Sequence, residues 1–152
     1  MEIEVRWTPA QQGSLKHIGR GRLIHTNKAE LTDWRNAVQN RVEAYRERVP
    51  EHGLPYTGAV WMRLVVSVAR PPSVSRRKRP YPSVKPDLDK LCRSVGDALK
   101  QCGVMCDDAQ IVEFTRLAKV YCNEDPESLE VPGCRIVVLP MAPLVEITKG
   151  SK

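Results

Sequence analysis

The chain has 152 residues, of which 41% are hydrophobic and 28% charged, and its net charge is +6. This length and composition are typical of one globular domain with a hydrophobic core, and they exclude a fibrous or fully disordered chain. Residues 63–100 hold ten Lys and Arg against three Asp, a local balance of +7. Such a concentration favours a phosphate-rich partner. A membrane surface is disfavoured, because the basic stretch lacks the apolar face of a surface-binding helix.

The first residues argue against export. Glu2 and Glu4 lie where a secretory signal would be basic and then apolar, and no segment resembles a transmembrane helix. We therefore expect a cytoplasmic protein whose five cysteines stay reduced. Their irregular spacing favours neither a disulfide framework nor a zinc site, and Cys92, Cys122 and Cys134 are expected to be buried as small apolar residues.

Two segments open the chain. Residues 2–8 alternate apolar and polar with a period of two, which predicts a half-buried strand ended by Pro9. Residues 11–26 carry a net charge of +3 and no acid. They predict a flexible loop that either clamps a phosphate backbone or is simply solvated. Its candidate DNA contacts are Lys16, Arg20 and Arg22.

A helix and a strand follow. Apolar residues at three- and four-residue spacing predict a first helix over residues 28–48, ended by Pro50. Asn27 and Glu30 resemble a capping box at its start. Residues 59–69 alternate again and predict a second strand.

The second half of the chain predicts one more helix and two more strands. The helix begins after Pro86, and Gly103 fits the left-handed position that commonly ends a helix. Residues 109–121 and 129–139 are predicted strands, joined through a turn at residues 123–126 into an antiparallel hairpin.

The order of these elements is β-α-β-α-β-β. It predicts an α+β domain over residues 1–140, with two helices packed on a mixed, mostly antiparallel sheet. Residues 141–152 are predicted to be a C-terminal tail, and the sequence contains no internal repeat.

A basic, proline-rich segment precedes the second helix. Four prolines in residues 70–84 exclude a helix or a central strand. The segment is either a disordered basic arm without a partner or a nucleic-acid contact, and we favour contact because it leads directly into an acidic motif. The candidate DNA contacts here and at the helix start are Arg76, Arg77, Lys78, Arg79, Lys85 and Lys90.

Acidic residues flank the second helix, Asp87 and Asp89 at its start and Asp107 and Asp108 beyond its end. Helix capping and the helix dipole explain Asp87 and Asp89 one at a time, but give no reason for all four to converge. If Asp87, Asp89 and one member of the doublet meet, their hard oxygen ligands suit Mg²⁺ or Mn²⁺ better than zinc. Whether the doublet reaches the helix start depends on strand pairing, which the sequence leaves open.

Arg93 lies one helical turn after Asp89, and Asp97 lies a further turn on. These residues form either a ladder of surface ion pairs or a site in which Arg93 places a fixed positive charge over a scissile phosphate. Arginine stays protonated, so Arg93 cannot act as a general base.

Three motifs carry a family resemblance: Lys-Pro-Asp-Leu-Asp-Lys-Leu from Lys85, Asp-Ala-Leu from Asp97, and Asp-Asp-Ala-Gln-Ile-Val-Glu from Asp107. Together with the order of elements they resemble the RusA family of Holliday junction resolvases, which are often phage- or prophage-encoded. The resemblance implies a homodimeric, Mg²⁺-dependent endonuclease without a small-molecule cofactor. Such an enzyme would bind four-way DNA junctions and nick two opposed strands symmetrically.

The resemblance also implies site residues. It places Asp87, Asp89 and Asp108 at the family's catalytic acidic positions and leaves the role of Asp107 open. Two positions depart from the family pattern: Lys90 stands where Asn is common, and Arg93 stands at the position of the catalytic lysine. Whether Arg93 or Lys90 takes the role of that lysine stays open.

Two alternatives to a junction resolvase are compatible with the sequence. One is a non-catalytic nucleic-acid-binding protein whose acids only cap and pair. The other is a nuclease of the same chemistry that acts on flaps or forks.

Overall fold

Six strands, two α-helices and one short 3-10 helix form the parts of the chain that the structure describes, a computed structural model of residues 1–12, 15–17, 23–25 and 28–142. The strands are β1 (Glu2–Val5), β2 (Leu15–His17), β3 (Leu23–His25), β4 (Val60–Val68), β5 (Ile111–Tyr121) and β6 (Gly133–Pro140). The helices are α1 (Lys28–Arg48) and α2 (Leu88–Gln101), and the 3-10 helix spans Asp108–Gln110. Side chains are described for residues 1–12 and 28–142.

Four strands form a mixed sheet in the order β1-β6-β4-β5. β6 runs antiparallel to both β1 and β4, whereas β4 and β5 are parallel. The register pairs Leu64 of β4 with Ile136 of β6 on one side and with Leu117 of β5 on the other. The predicted α+β class, with two helices packed on a mixed sheet, is confirmed.

The predicted antiparallel hairpin of the last two strands is wrong. β5 and β6 do not pair with each other, because β4 lies between them. β4 takes this central position since it is apolar on both faces, and Leu64, Val65 and Val66 are all fully buried. Residues 122–132 therefore pass over the end of β4 instead of making a tight turn. In addition, β2 and β3 form a short antiparallel pair where only a loop was predicted.

Both helices lie where the sequence predicts them. α1 has the predicted bounds, and α2 begins after Pro86. Gly103 follows α2 with a φ of +66°, which confirms the left-handed position expected there. The predicted capping residue of α1, Asn27, lies outside the described residues.

The helices pack on one face of the sheet and form the hydrophobic core. α1 contributes Trp34, Val38 and Val42, and α2 contributes Leu91, Val95, Ala98 and Leu99. The sheet side of this core is built by Ile3, Val5, Met62, Leu64, Val66, Cys134, Ile136 and Val138. None of the helices in the described ranges is long and apolar enough to span a bilayer.

Residues 122–132 cover part of the opposite face of the sheet. Arg116 of β5 donates two hydrogen bonds to Asp125, at 3.0 and 2.6 Å, and also pairs with Glu127. Arg63 of β4 donates to the same Glu127 at 3.0 Å. The buried Leu129 donates its backbone N–H to Ser67 Oγ at 2.8 Å, which closes the segment over β4.

All five cysteines are free thiols. Cys134 is fully buried, as predicted, and burial raises the pKa of its thiol. Cys92 and Cys122 are only half-buried, because Cys92 packs against the margin of the core and Cys122 lies just beyond the end of β5.

Candidate active site

The start of α2 is built around Asp87. Its backbone N–H donates to Gln11 Oε1 at 2.6 Å, and its carbonyl accepts from Leu91 N–H at 3.0 Å, which begins the helix. The Asp87 side chain makes no capping hydrogen bond. It forms an ion pair with Lys90 Nζ at 3.1 Å instead. Helix capping therefore does not explain the Asp87 carboxylate.

Asp89 is the second residue of α2, and its side chain is exposed. Among the residues that the structure describes, its carboxylate has no hydrogen-bond or ion-pair partner. A negative charge in the first turn of a helix is stabilised by the helix dipole, so the position tolerates an ionised acid without a local partner. The Asp89 oxygens are therefore free to bind an external group.

Asp107 and Asp108 are neighbours with different contacts. Asp107 caps the 3-10 helix by accepting from Ala109 N–H at 2.9 Å, and its other oxygen pairs with Lys100 Nζ at 2.8 Å. Gln110 Oε1 in turn accepts from Asp107 N–H at 2.8 Å. The Lys100 ammonium, helped by the Ala109 N–H, lowers the pKa of Asp107 to about 2. These contacts favour a structural role for Asp107.

Asp108 is exposed and lies against the middle of α2. A Cβ built on Gly96 would be 3.8 Å from Asp108 Cβ. Gly96 follows Asp89 by seven residues, which is about two turns and roughly 10 Å along the same side of the helix. Asp89 and Asp108 therefore lie on one side of α2, with Arg93 between them.

In the structure, the acidic residues lie along α2 but do not cluster around a common point. Within the described ranges, no group of three His, Cys, Asp or Glu is close enough to hold a metal ion. Asp87, Asp89 and Asp108 nevertheless fit a hard divalent cation in donor type, because all three offer carboxylate oxygens and two are exposed. Joint binding of one ion by these three residues stays a prediction.

Arg93 is exposed, and in the described part of the chain its guanidinium has no hydrogen-bond or ion-pair partner. Asp97, the expected next member of a surface ladder, accepts from Gln12 Nε2 at 3.1 Å and pairs with Arg35 at 3.4 Å. The ladder of ion pairs along α2 is therefore not formed. The positive charge of Arg93 stays available beside Asp89.

Lys119 is a site residue that the sequence analysis missed. Its ammonium donates to the carbonyls of Val84 and Pro86, at 2.6 and 2.5 Å, and so holds the residues that lead into Asp87. Burial lowers the pKa of Lys119, while the nearby Asp87 charge partly opposes this. The sequence did contain a signal for Lys119. Lys119 follows Leu117 by two residues and so lies on the same, core-facing side of β5, where an apolar residue is expected.

The basic segment before α2 is a loop held by hydrogen bonds to the rest of the protein, and not a disordered arm. Arg70 donates to both Glu124 oxygens at 2.7 Å and to the carbonyl of Arg79 at 2.8 Å. Its guanidinium also lies 3.7 Å from the centre of the Tyr121 ring. Arg70, which was not among the candidate contacts, is therefore the residue that fixes this loop to the sheet.

The residues predicted to contact DNA differ in their exposure and in whether their side chains already have partners within the protein. Arg77, Lys78 and Lys85 are exposed, and none of them has a side-chain partner among the described residues. Arg76 is exposed but lies 3.4 Å from Glu124, and Lys90 is paired with Asp87. Arg79 is half-buried. The side chain of Lys16 and the whole of Arg20 and Arg22 lie outside the described residues.

A comparison with models of protein families matches Endodeoxyribonuclease RusA over residues 5–131. The matched range includes α2, the acidic residues on both sides of it and the basic loop. A search of curated proteins gives no match.

Proposed function

Because the chain belongs to the RusA family of endodeoxyribonucleases, which act on Holliday junctions, we propose that it resolves four-way junctions by paired symmetric nicks in a reaction that depends on Mg²⁺ or Mn²⁺. The observation that carries this proposal is that Asp89, Arg93 and Asp108 are aligned along one side of α2. Asp89 and Arg93 are exposed opposite charges that do not neutralise each other or anything else in the described residues. Such a pair suits an external cation and an external phosphate.

Asp87, Asp89 and Asp108 are the residues that would hold the divalent ion. When bound, such an ion neutralises charge on a phosphodiester and favours deprotonation of a bound water. Asp87 is half-buried and backed by Lys90, whose charge offsets part of the repulsion between neighbouring carboxylates. Lys119 acts as a positioning residue, since it fixes the two carbonyls before Asp87.

Arg93 is the residue proposed to bind the scissile phosphate. Its guanidinium presents several N–H donors in a planar arrangement that matches phosphate oxygens. It can therefore stabilise the negative charge that grows on the phosphate during attack, but it cannot move a proton. Arg77, Lys78 and Lys85 would hold the DNA arms through their backbone phosphates.

A homodimer completes the proposal. A four-way junction has approximate two-fold symmetry, and its resolution needs one cut in each of two opposed strands. A C2 dimer supplies two active sites related by the same axis.

The test is cleavage of a synthetic four-way junction in Mg²⁺, with the nicks mapped on all four strands. Asp89→Asn should bind the junction with near wild-type affinity and cleave it roughly 100-fold more slowly or worse, because a metal ligand is lost. Glu47→Gln, which removes an exposed acid near the end of α1, is the matched control. Equal cleavage by Asp89→Asn would show that this carboxylate is not a ligand.

Parallel assays on a fork and a linear duplex define the substrate. The proposal expects junction cleavage to exceed both. Faster cleavage of forks or flaps would assign the same chemistry to a different branched substrate, and binding without nicking in any divalent ion would contradict the catalytic proposal.

A further inference from the structure

An open groove of about 490 Å³ lies beside the start of α2. One wall is the segment from Trp7 to Gln11, and the others are formed by Glu30 and Asp33 of α1 and by Lys85 and Pro86. Pro86 is bonded directly to Asp87, so the groove adjoins the residue that precedes the candidate catalytic acid. Its volume lies within the range of sites that bind small organic groups.

Trp7 is the main apolar surface of this groove. Its side chain is 51% exposed, whereas Trp34 is fully buried. Trp7 also lines a second hollow of about 180 Å³, which it shares with Asp33, Asn36, Ala37 and Asn40. The indole therefore projects between two open spaces instead of packing into the core.

The segment that carries Trp7 is fixed to the catalytic helix. Ser94 Oγ donates to the Ala10 carbonyl at 2.8 Å, and Gln11 Oε1 accepts from the N–H of Asp87 at 2.6 Å. Gln12 donates its N–H to the Lys90 carbonyl at 3.3 Å and its side-chain amide to Asp97 at 3.1 Å. These bonds hold the groove and the acid in one arrangement.

The charges around the groove fit a nucleobase better than a phosphate. Glu30 and Asp33 would repel a phosphate, but their oxygens can accept hydrogen bonds from the amino groups of cytosine, adenine or guanine. Lys85, which also lines the groove, supplies a positive charge for the phosphate attached to such a base. An exposed indole supplies a stacking surface that every base can use.

We propose that this groove binds one nucleobase of the junction strand, displaced from its stack and laid against Trp7, next to the phosphodiester at Asp87. The inference rests on the proposed function, because it supplies the base-recognition part of that nuclease site. Bases at a branch point have lost one stacking neighbour, so displacing one costs less than in a continuous duplex. The acids predict a preference for an amino-bearing base over thymine at this position.

The first measurement is junction affinity without divalent ion. Trp7→Ala should weaken junction binding roughly 5- to 100-fold, the range found when a base-stacking aromatic residue is removed. Trp7→Phe should retain most of the affinity, and linear duplex binding should change little in either variant. Phe114→Ala, which removes an exposed aromatic residue of β5 outside both the groove and the basic segment, is the matched control. Unchanged junction affinity in Trp7→Ala would overturn the proposal.

A double-mutant cycle identifies the partner of Trp7. Abasic sites are placed one at a time around the crossover, and each junction is tested against wild type and Trp7→Ala. At one position the abasic site should weaken wild-type binding but cost Trp7→Ala nothing further. Fully additive losses at every position would overturn the proposal.

Tryptophan fluorescence gives a readout that does not depend on the alanine variant. The emission lost on changing Trp7 to Phe defines the Trp7 signal, and the junction should quench that signal in the wild-type protein. No quenching would contradict stacking. If the wild-type protein cleaves junctions but these Trp7 effects are missing, the base site alone is wrong; if it cleaves no branched DNA, the proposed function itself fails.

Discussion

Asp87 and Asp107 each stand at the start of a helix in this site, but the two residues have different roles. Asp107 satisfies a backbone N–H and a lysine, so its charge is used within the protein. Asp87 also stands at a helix start, but its carboxylate pairs with Lys90 and accepts no capping hydrogen bond from the backbone. Acids that leave the backbone capping bond unmade are the ones available to a cation. At the residue scale, the contacts therefore separate structural from functional acids better than sequence position does.

This separation predicts opposite behaviour for two adjacent residues. Asp108→Asn should lower junction cleavage roughly 100-fold or more, because it weakens a proposed metal ligand. Asp107→Asn should cleave within a few-fold of wild type, because an asparagine oxygen can still accept from Ala109 N–H. Cleavage rates of the two purified variants, measured under one set of conditions, check the pair. Equal losses would make Asp107 a ligand as well.

The pH dependence of Asp107 follows from its lowered pKa. Its folded pKa is about 2, well below the ordinary value of about 3.9. Its stabilising contribution is therefore complete above the ordinary value and is lost as the pH falls towards 2. In Asp107→Asn this part of the acid sensitivity should be absent, which acid titration followed by circular dichroism can measure.

At the scale of elements, Arg116 makes the central contacts of the segment 122–132. Arg116 binds both Asp125 and Glu127 and lowers the pKa of both carboxyls, while Arg63 supports Glu127. These side chains are only partly exposed, so the cluster joins β5 to the segment that leads into β6. It replaces the tight hairpin that the turn residues suggested.

Arg116→Met should make the protein less stable at neutral pH and less sensitive to acid. The loss should be on the order of 1 kcal/mol at pH 7, as for a partly exposed ion-pair network. Because both carboxyls have lowered pKa values in the folded state, their contribution is present above about pH 5 and is lost as the pH falls below about 4. Urea unfolding at pH 7 and pH 3.5 should therefore differ less in the variant than in wild type. Arg77→Met, which removes an exposed arginine that has no side-chain partner among the described residues, should behave as wild type in both conditions.

The positions of the helices and strands could largely be predicted from the sequence, but the pairing of the strands could not. The bounds of α1 follow from spacing within 21 consecutive residues, and Gly103 identifies the end of α2 in the same local way. The neighbours of β4 depend on contacts distant in sequence. Burial of both Val65 and Val66 indicates a central strand, whereas the alternation in residues 59–69 predicted only that a strand forms there, without its neighbours.

The candidate site likewise contains residues that could be identified from the sequence and residues that could not. Its acids and Arg93 could be named from motif and spacing, because they share one helix and the turn after it. Lys119 and Trp7 could not, since both reach the site from other elements. Lys119 comes from the far end of β5, and Trp7 comes from a segment fixed to α2 by hydrogen bonds of Ala10, Gln11 and Gln12.

At the scale of the whole molecule, the folded structure uses much of the positive charge that the sequence concentrates in residues 63–100. Arg63 pairs with Glu127, Arg70 with Glu124, and Lys100 with Asp107. The local excess of +7 therefore overstates the charge offered to DNA. The members of this stretch that are exposed, and that have no side-chain partner within the described part of the chain, are Arg77, Lys78, Lys85 and Arg93.

This partition predicts which charges determine the salt dependence of junction binding. Each phosphate contact contributes about 0.9 to the slope of log K against log salt, so Arg77→Gln with Lys78→Gln should reduce the slope by nearly two. Arg63→Gln with Arg70→Gln removes the same formal charge from groups already neutralised inside the protein. That pair should leave the slope almost unchanged and should instead lower the thermal unfolding temperature. Binding isotherms at several salt concentrations, with a melting curve for each variant, separate the two sets. Equal slopes for both double variants would mean that net charge, and not the placement of the unpaired residues, controls the affinity.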